Sequence, residues 1–367
     1  MTAVLTQLAC AVDQAVLKAA VAAVAKRLPS RPALPTLACV KLTVDGDRLS
    51  IAAFDYDTSA TAAVSVDGRG DGQVLVSGRL LSALTDTLPA KPVALTVDNG
   101  RLKLTCGTVK LGFPTLPVDE YPQLPDLPPA VGTVDAAEFA RAVKRVAAAT
   151  GPDAEPKNLI GLWFSFDAVL TMLASDRYRA AAGVVSWQAS GEAGHACPPA
   201  HLVADTAHLL SGRVTLYADD ALFGMSDGNL TVVTAQLTDH PGERLRSFFD
   251  GQTNRTVELD AEEFAGHVGR AAKVHEKATP IILDFADGGV AIRATGEDST
   301  DADAAMDCDI DGGPIEIRIN PDYLTAAIKA AGTGRIALRM GAVTKPVQVL
   351  PVGDDSYRHL IVPIRKQ

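Results

Sequence analysis

The chain has 367 residues, 47% of them hydrophobic and 21% charged, with a formal charge of −10. That length allows two or three domains, each with its own core, and no apolar run approaches the ~18 residues of a membrane span, so a soluble globular chain is expected. Five cysteines (Cys10, Cys39, Cys106, Cys197 and Cys308) are far apart and odd in number, offering neither a disulfide framework nor zinc spacing, which fits a reducing cytoplasm.

In chain order, Gln7-Leu8-Ala9-Cys10 has the outline of a lipoprotein processing site, but no basic segment precedes it, and Asp13 and Lys18 interrupt the residues after it. Asp13 then stands as a helix N-cap ahead of Leu17, Val21, Val24 and Leu28, apolar at helical spacing. Leu80, in Ser77-Gly78-Arg79-Leu80-Leu81, opens a second short helix. The alternating run Val93-Ala94-Leu95-Thr96-Val97 reads as a half-buried strand, and Asp98-Asn99-Gly100 turns it into another. Residues 114–132, crowded with proline, suit neither a helix nor a central strand and are expected to form a stiff connector.

The same order of elements then recurs twice. Asp135 precedes Phe139, Val143 and Val146, and Asp260 precedes Phe264, Val268 and Ala271; Leu17, Phe139 and Phe264 stand 122 and 125 residues apart. Leu80, Leu202 and Leu324 repeat at intervals of 122, each ahead of an alternating run. Such a period is too long for a solenoid and indicates three domains of one α+β design, each with two helices packed on antiparallel sheets. Their expected bounds are 1–125, 126–252 and 253–367, the second junction falling near the turn formers after Phe249.

The net charge is acidic, but the three long helices are basic beyond their first turns. Arg141, Lys144 and Arg145 lie opposite the apolar stripe of the second; His267, Arg270 and Lys273 mark the third; Lys18, Lys26 and Arg27, with Arg31 beyond, mark the first. A solvated face usually mixes both signs, so three equivalent basic helices point to a shared surface for an anionic partner.

Local matches to enzyme chemistry fail on context. Gly224-Met225-Ser226-Asp227-Gly228 fits a nucleophile elbow, but an alternating segment comes next where a helix is required, so Ser226 is expected in a hairpin turn and a hydrolase is the weaker alternative. Asp307-Cys308-Asp309 opens like a calcium loop, yet the twelfth position is Arg318 and Pro314 intrudes. No His pairing or Gly-rich phosphate loop is present, and no catalytic residue, metal or cofactor is expected.

Several segments resemble the bacterial β sliding clamp, the β subunit of DNA polymerase III. They are Leu34-Pro35-Thr36-Leu37, Phe54-Asp55-Tyr56-Asp57, Pro114 to Pro122, Ala174-Ser175-Asp176-Arg177-Tyr178-Arg179 and Leu360 to Arg365. Single tetrapeptides are weak; their order, spacing and the threefold repeat are specific, and the likeness covers essentially the full length. It implies a non-catalytic processivity factor, a head-to-tail homodimer whose six domains close a ring around duplex DNA. Retention would be topological, with loose phosphate contacts independent of sequence.

The resemblance also implies sites. Arg27, Arg31, Arg79, Arg141, Lys144, Arg145 and Arg270 would line the hole. The dimer interface would join Arg101 and Lys110 to Glu297, Asp298, Asp301 and Asp303, with Leu81, Lys273 and Val274 alongside. A cleft for Gln-Leu-x-Leu-Phe-type peptides of the polymerase α subunit, the clamp loader and other clamp-binding proteins would comprise Leu159, Ser175, Arg177, Tyr178, Arg179, Ala180, Pro241, Asn320, Tyr323, Thr344, Pro346, Val362, Pro363, Ile364 and Arg365. Pro363 would form its floor, and Arg179 and Arg365 would frame it. Two departures from the family pattern stand out: Ala180 replaces a bulky aliphatic, and His240-Pro241-Gly242-Glu243 lacks the usual aromatics. They motivate a second reading, a duplicated clamp retained for tolerance of an inhibitor (antibiotic resistance).

Overall fold

The computed structural model describes residues 8–151, 154–274, 279–286, 288–296, 300–332 and 334–365. The helices are α1 (Gln14–Ala25), α2 (Gly78–Asp86), α3 (Ala136–Ala147), α4 (Ala200–Ala207), α5 (Gly242–Arg246), α6 (Ala261–Val274) and α7 (Pro321–Ala331). Each long helix starts where its aspartate caps it. Asp13 Oδ1 accepts from the N–H of Ala15 (2.8 Å) and Val16 (3.2 Å), Asp135 from Ala137 (2.9 Å) and Glu138 (3.0 Å), and Asp260 from Glu262 (3.0 Å) and Glu263 (2.9 Å). Such a cap stabilises a helix start by about 1 kcal/mol. Behind the caps, Leu17/Val21/Val24, Phe139/Val143/Val146 and Phe264/Val268/Ala271 are buried, and α1, α3 and α6 pack on α2, α4 and α7 respectively. The threefold repeat is thus a repeat of helix pairs.

Two compact units carry these pairs. The first comprises the described residues up to Thr133 together with Leu209–Ala235. Its smaller antiparallel sheet runs in the order Asp67–Gly70, Ala9–Val12, Val93–Asp98, Arg101–Cys106, Val109–Pro114. Its larger sheet joins strands of the first and middle thirds, because Thr58–Ser65 pairs with Leu230–Ala235. Along the connector, Leu116 N–H bonds the Leu75 carbonyl at 3.1 Å, and Tyr121 is buried with Cys39, Phe54 and Leu75. Its first residue, Pro114, ends the strand Val109–Pro114; after that only the short 3₁₀ turn Val118–Glu120 is regular before the strand Ala130–Asp135, which begins inside the expected connector.

The second unit comprises Val134–His208 and the described residues from Gln236 onward. Its nine-stranded sheet runs His195–Ala196, Trp163–Phe166, Leu170–Ser175, Arg179–Val185, Tyr357–Ile361, Val347–Pro351, Arg335–Met340, Arg255–Asp260, Ile310–Asp311. The pairing Arg179↔Ile361 to Gly183↔Tyr357 joins the middle third to the last. A four-stranded sheet runs Asp301–Asp307, Gly289–Thr295, Ile281–Ala286, Ile315–Ile319. Continuous ladders across the thirds explain why the middle third is shared between the two units.

Two expectations are corrected here. Leu81 is 1% exposed, because a helix starting at Gly78 turns 78, 81 and 85 inward; its neighbour Leu80, at 46%, is the apolar side chain left outside. Ser226 is the last residue of the strand Leu222–Ser226 and not a turn residue, with its hydroxyl 2.7 Å from Thr231 Oγ1. The next strand is Leu230–Ala235.

Candidate functional site

The expected peptide cleft lies wholly within the second unit, around the turn between Leu170–Ser175 and Arg179–Val185. Asp176 builds that turn: its Oδ1 accepts from the N–H of Tyr178 and Arg179, both at 3.1 Å, and Ser175 Oγ donates to the Arg179 carbonyl at 2.8 Å. Arg177 occupies the left-handed region at φ 82°, which this short loop requires. Asp176 Oδ2 also accepts from Arg179 Nε at 2.8 Å, and the Arg179 guanidinium lies 4.7 Å from the centre of the Tyr323 ring. Tyr178, more than half exposed, stacks on Tyr323 with centroids 6.3 Å apart. Burial and the Asp176 carboxylate raise the Tyr323 hydroxyl above its ordinary range. Arg179 is thereby held by a carboxylate on one side and an aromatic face on another, a preorganised cation.

The tail crosses beside this cluster. Val362 N–H bonds the Tyr178 carbonyl and Ile364 N–H bonds the Arg318 carbonyl, each at 2.8 Å. Pro363 is buried between them, while Val362 and Ile364 remain 42% and 41% exposed. Thr344 and Arg365 are exposed, and Pro241 and Pro346 are partly buried. Leu159, Ser175 and Ala180 are buried and can act only as walls, and the Asn320 side chain caps α7 through Asp322 and Tyr323 N–H. Ala180 packs with Trp163, Leu173, Leu245, Phe249 and Leu360. Gly242 is required there: a β-carbon would stand 2.3–2.5 Å from the Trp163 indole. Burial pushes the neighbouring His240 ring down to about 4.

The basic surface is smaller than expected. Arg31, Arg79, Arg141, Lys144 and Arg270 are exposed, Arg79 donating to the Pro29 carbonyl and Arg270 bonded to His267 Nδ1. Arg27 is 8% exposed, because the chain turns after α1 and carries it inward beside Leu28. Arg145 is also withdrawn: Nη1 donates to Asp354 Oδ2 at 2.8 Å and Nη2 to the Ala331 carbonyl at 3.2 Å. Burial alone would raise the Asp354 carboxyl, but hydrogen bonds from Ser356 and Arg145 hold it below its usual range. Arg27 is thus buried and Arg145 tied down, so neither stands out on the surface as expected.

Of the expected interface residues, Arg101 and Lys110 are exposed on the last two strands of the five-stranded sheet, with Arg101 Nη2 on the Gly112 carbonyl. Asp301 and Asp303 are exposed on the outermost strand of the four-stranded sheet; Arg293 Nε lies 3.9 Å from Asp303. Lys273 is exposed and Val274 partly buried; Glu297 and Asp298 lie outside the described residues. Sequence reasoning missed Asp176, Asp354, Tyr357 and Trp163 as supports. Only Asp176 had a usable signal, the Asp-led turn that Asp55 and Asp227 repeat.

Residues 8–125 match the family profile of the DNA polymerase III beta subunit N-terminal domain, and residues 246–365 that of its C-terminal domain. The beta sliding clamp of Streptomyces coelicolor is 33% identical, over 96% of this chain and 98% of its own. The beta sliding clamp homolog GriR of Streptomyces muensis is 28% identical over the same shares. A Pseudomonas aeruginosa sliding clamp solved with griselimycin superposes with a TM-score of 0.92, covering 98% of this chain and all of that one at 20% identity. By these matches the chain belongs to the β sliding clamp family, the non-catalytic processivity subunit of DNA polymerase III.

Proposed function

We propose that the chain works as a head-to-tail homodimeric clamp of three domains per protomer, 1–125, 126–252 and 253–367, closed around duplex DNA. The observation that carries this reading is the repeated Asp-capped helix, whose exposed cations Arg141, Lys144 and Arg270 would meet phosphates without reading bases. Outermost strands of opposite charge, Val109–Pro114 with Lys110 and Asp301–Asp307 with Asp301, Asp303 and Asp307, suit an interface between two copies. Exposed pairs are worth only ~0–1 kcal/mol each, so they set register more than affinity. Light scattering at micromolar protein should report a dimer; a salt-insensitive monomer would refute the ring.

The cleft of the second unit is the partner site in this reading, taking a Gln-Leu-x-Leu-Phe-type segment of the polymerase α subunit, the clamp loader and other clamp-binding proteins. Burying two or three apolar side chains at about 1.5–3 kcal/mol each, less the cost of ordering the peptide, gives micromolar affinity at most. Fluorescence anisotropy with a labelled Gln-Leu-Ser-Leu-Phe peptide tests it, against the full chain and one ending at Ile361, which keeps the last strand. Equal binding by both, or none by the full chain, removes the cleft.

A second reading, a duplicate clamp kept for inhibitor tolerance, is favoured by Ala180 and by Gly242 set against Trp163, small residues in the wall beside the cleft. Griselimycin, the ligand in the Pseudomonas aeruginosa complex, is the probe. Under this reading it binds weakly to the wild-type chain while the peptide binds normally.

A further inference from the structure

Arg145 differs from Arg141 and Lys144 on the same helix. Those two are exposed, whereas the Arg145 side chain keeps 20% of its surface. Its guanidinium lies 5.5 Å from the centre of the Tyr357 ring, and the Tyr357 hydroxyl bridges the Arg145 carbonyl at 3.2 Å and His359 Nδ1 at 2.8 Å. A guanidinium whose fork is filled by Asp354 and the Ala331 carbonyl is a structural tie.

That tie holds a pair of strands. α3 packs on both Arg179–Val185 and Tyr357–Ile361. Gly183 pairs with Tyr357, and a β-carbon at Gly183 would stand 2.6 Å from Val146 Cγ2, so the sheet meets the helix with no slack there. The other ends of the same strands form the cleft: Arg179 and Ala180 begin the first, and Ile361 ends the second ahead of Val362–Arg365. From Gly183 to Arg179 is roughly 14 Å of strand. The backbone ladder fixes the two strands to each other; their seat against the helix layer is what Arg145 and Asp354 add. Close-packed interiors transmit such a shift.

We propose that Arg145, with Asp354, is a positioning residue for the partner cleft, setting how the strand pair that carries Arg179 and the tail sits on α3. This rests on the cleft reading above. The experiment measures two quantities on the full chain: anisotropy of the labelled Gln-Leu-Ser-Leu-Phe peptide, and the salt dependence of duplex DNA association.

Arg145→Gln and Asp354→Asn are expected to weaken the peptide by about 3- to 30-fold. Neither should change the DNA salt slope. Lys144→Gln should do the reverse, keeping peptide affinity and lowering the slope by about 0.9 for each lost phosphate contact. The double variant Arg145→Gln/Asp354→Asn should lose no more than either single change, since both remove one tie. Arg145→Lys, which can keep the ion pair but not the fork, should fall between. Asp354 is the outer partner, at 35% side-chain exposure, so its variant keeps the test clear of a folding failure. Peptide binding in both single variants equal to that of the unaltered chain overturns the inference, as does an Arg145→Gln slope that falls like that of Lys144→Gln. No peptide binding by the unaltered chain overturns the cleft reading itself, and this inference with it.

Discussion

His359 makes the second unit sensitive to acid. It is fully buried at the centre of the nine-stranded sheet, paired with Ala181, and its Nδ1 meets the Tyr357 hydroxyl. Burial first, and the nearby Arg179 charge second, push the ring down to about 3 from an ordinary 6.5. The unfolded chain therefore takes up a proton near pH 6.5 that the folded chain refuses until about pH 3. Stability from this group is complete above pH 6.5 and declines as pH falls through that window. At pH 5 the unfolded ring is almost wholly protonated and the folded ring is not, a difference of about 2 kcal/mol by linkage. His359→Gln keeps a hydrogen-bonding side chain and removes the titration. The assay is urea unfolding between pH 8 and pH 5, followed by tryptophan fluorescence, since Trp163 and Trp187 both lie in the second unit. The unaltered chain should lose about 2 kcal/mol more than His359→Gln over that range. His240, lowered to about 4 by burial, titrates in both proteins and cancels in the comparison. Parallel stability–pH curves for the two would refute the reasoning.

Reversing Arg141 and Lys144 to Glu should weaken duplex DNA association alike on every sequence and flatten its salt dependence; a preference for particular sequences, or no change, counts against the phosphate surface. Arg101→Glu with Lys110→Glu should shift light scattering toward the monomer, and Leu80→Ser should add to the shift without loss of fold, because Leu80 is outside the core. Gly242→Ala should destabilise the second unit by about 1–3 kcal/mol and shift tryptophan emission, since the new methyl meets the Trp163 ring; unaltered unfolding and emission would show that the α5 segment has room to move. For Leu81→Ala, which empties a buried site, a loss of about 2–5 kcal/mol in the first unit is expected from urea unfolding monitored by far-UV circular dichroism.

The amino-acid order by itself determined the three Asp-capped helices, their buried stripes and the threefold spacing. Caps and stripes depend on neighbours two to four residues away, so a short window contains every group involved. The turn at Asp176 is equally local, with its acceptor and donors within four residues, yet it was not read from the sequence. The cleft residues were named from family likeness and not from local pattern; in the fold the Val362 and Ile364 N–H groups bond the Tyr178 and Arg318 carbonyls. Tertiary structure alone decided which charges are free. Arg145 and Lys144 are adjacent and chemically similar, yet only Arg145 meets Asp354, 209 residues away in the chain. Leu80 and Leu81 exchange roles with one step of helix phase, set by where Gly78 starts α2. The pairing of Thr58–Ser65 with Leu230–Ala235, and of Arg179–Val185 with Tyr357–Ile361, joins strands whose own patterns specify only that one face is apolar. A strand's alternation says which side is buried but not which neighbour completes its hydrogen bonds, and that choice is made by the packing of the whole unit.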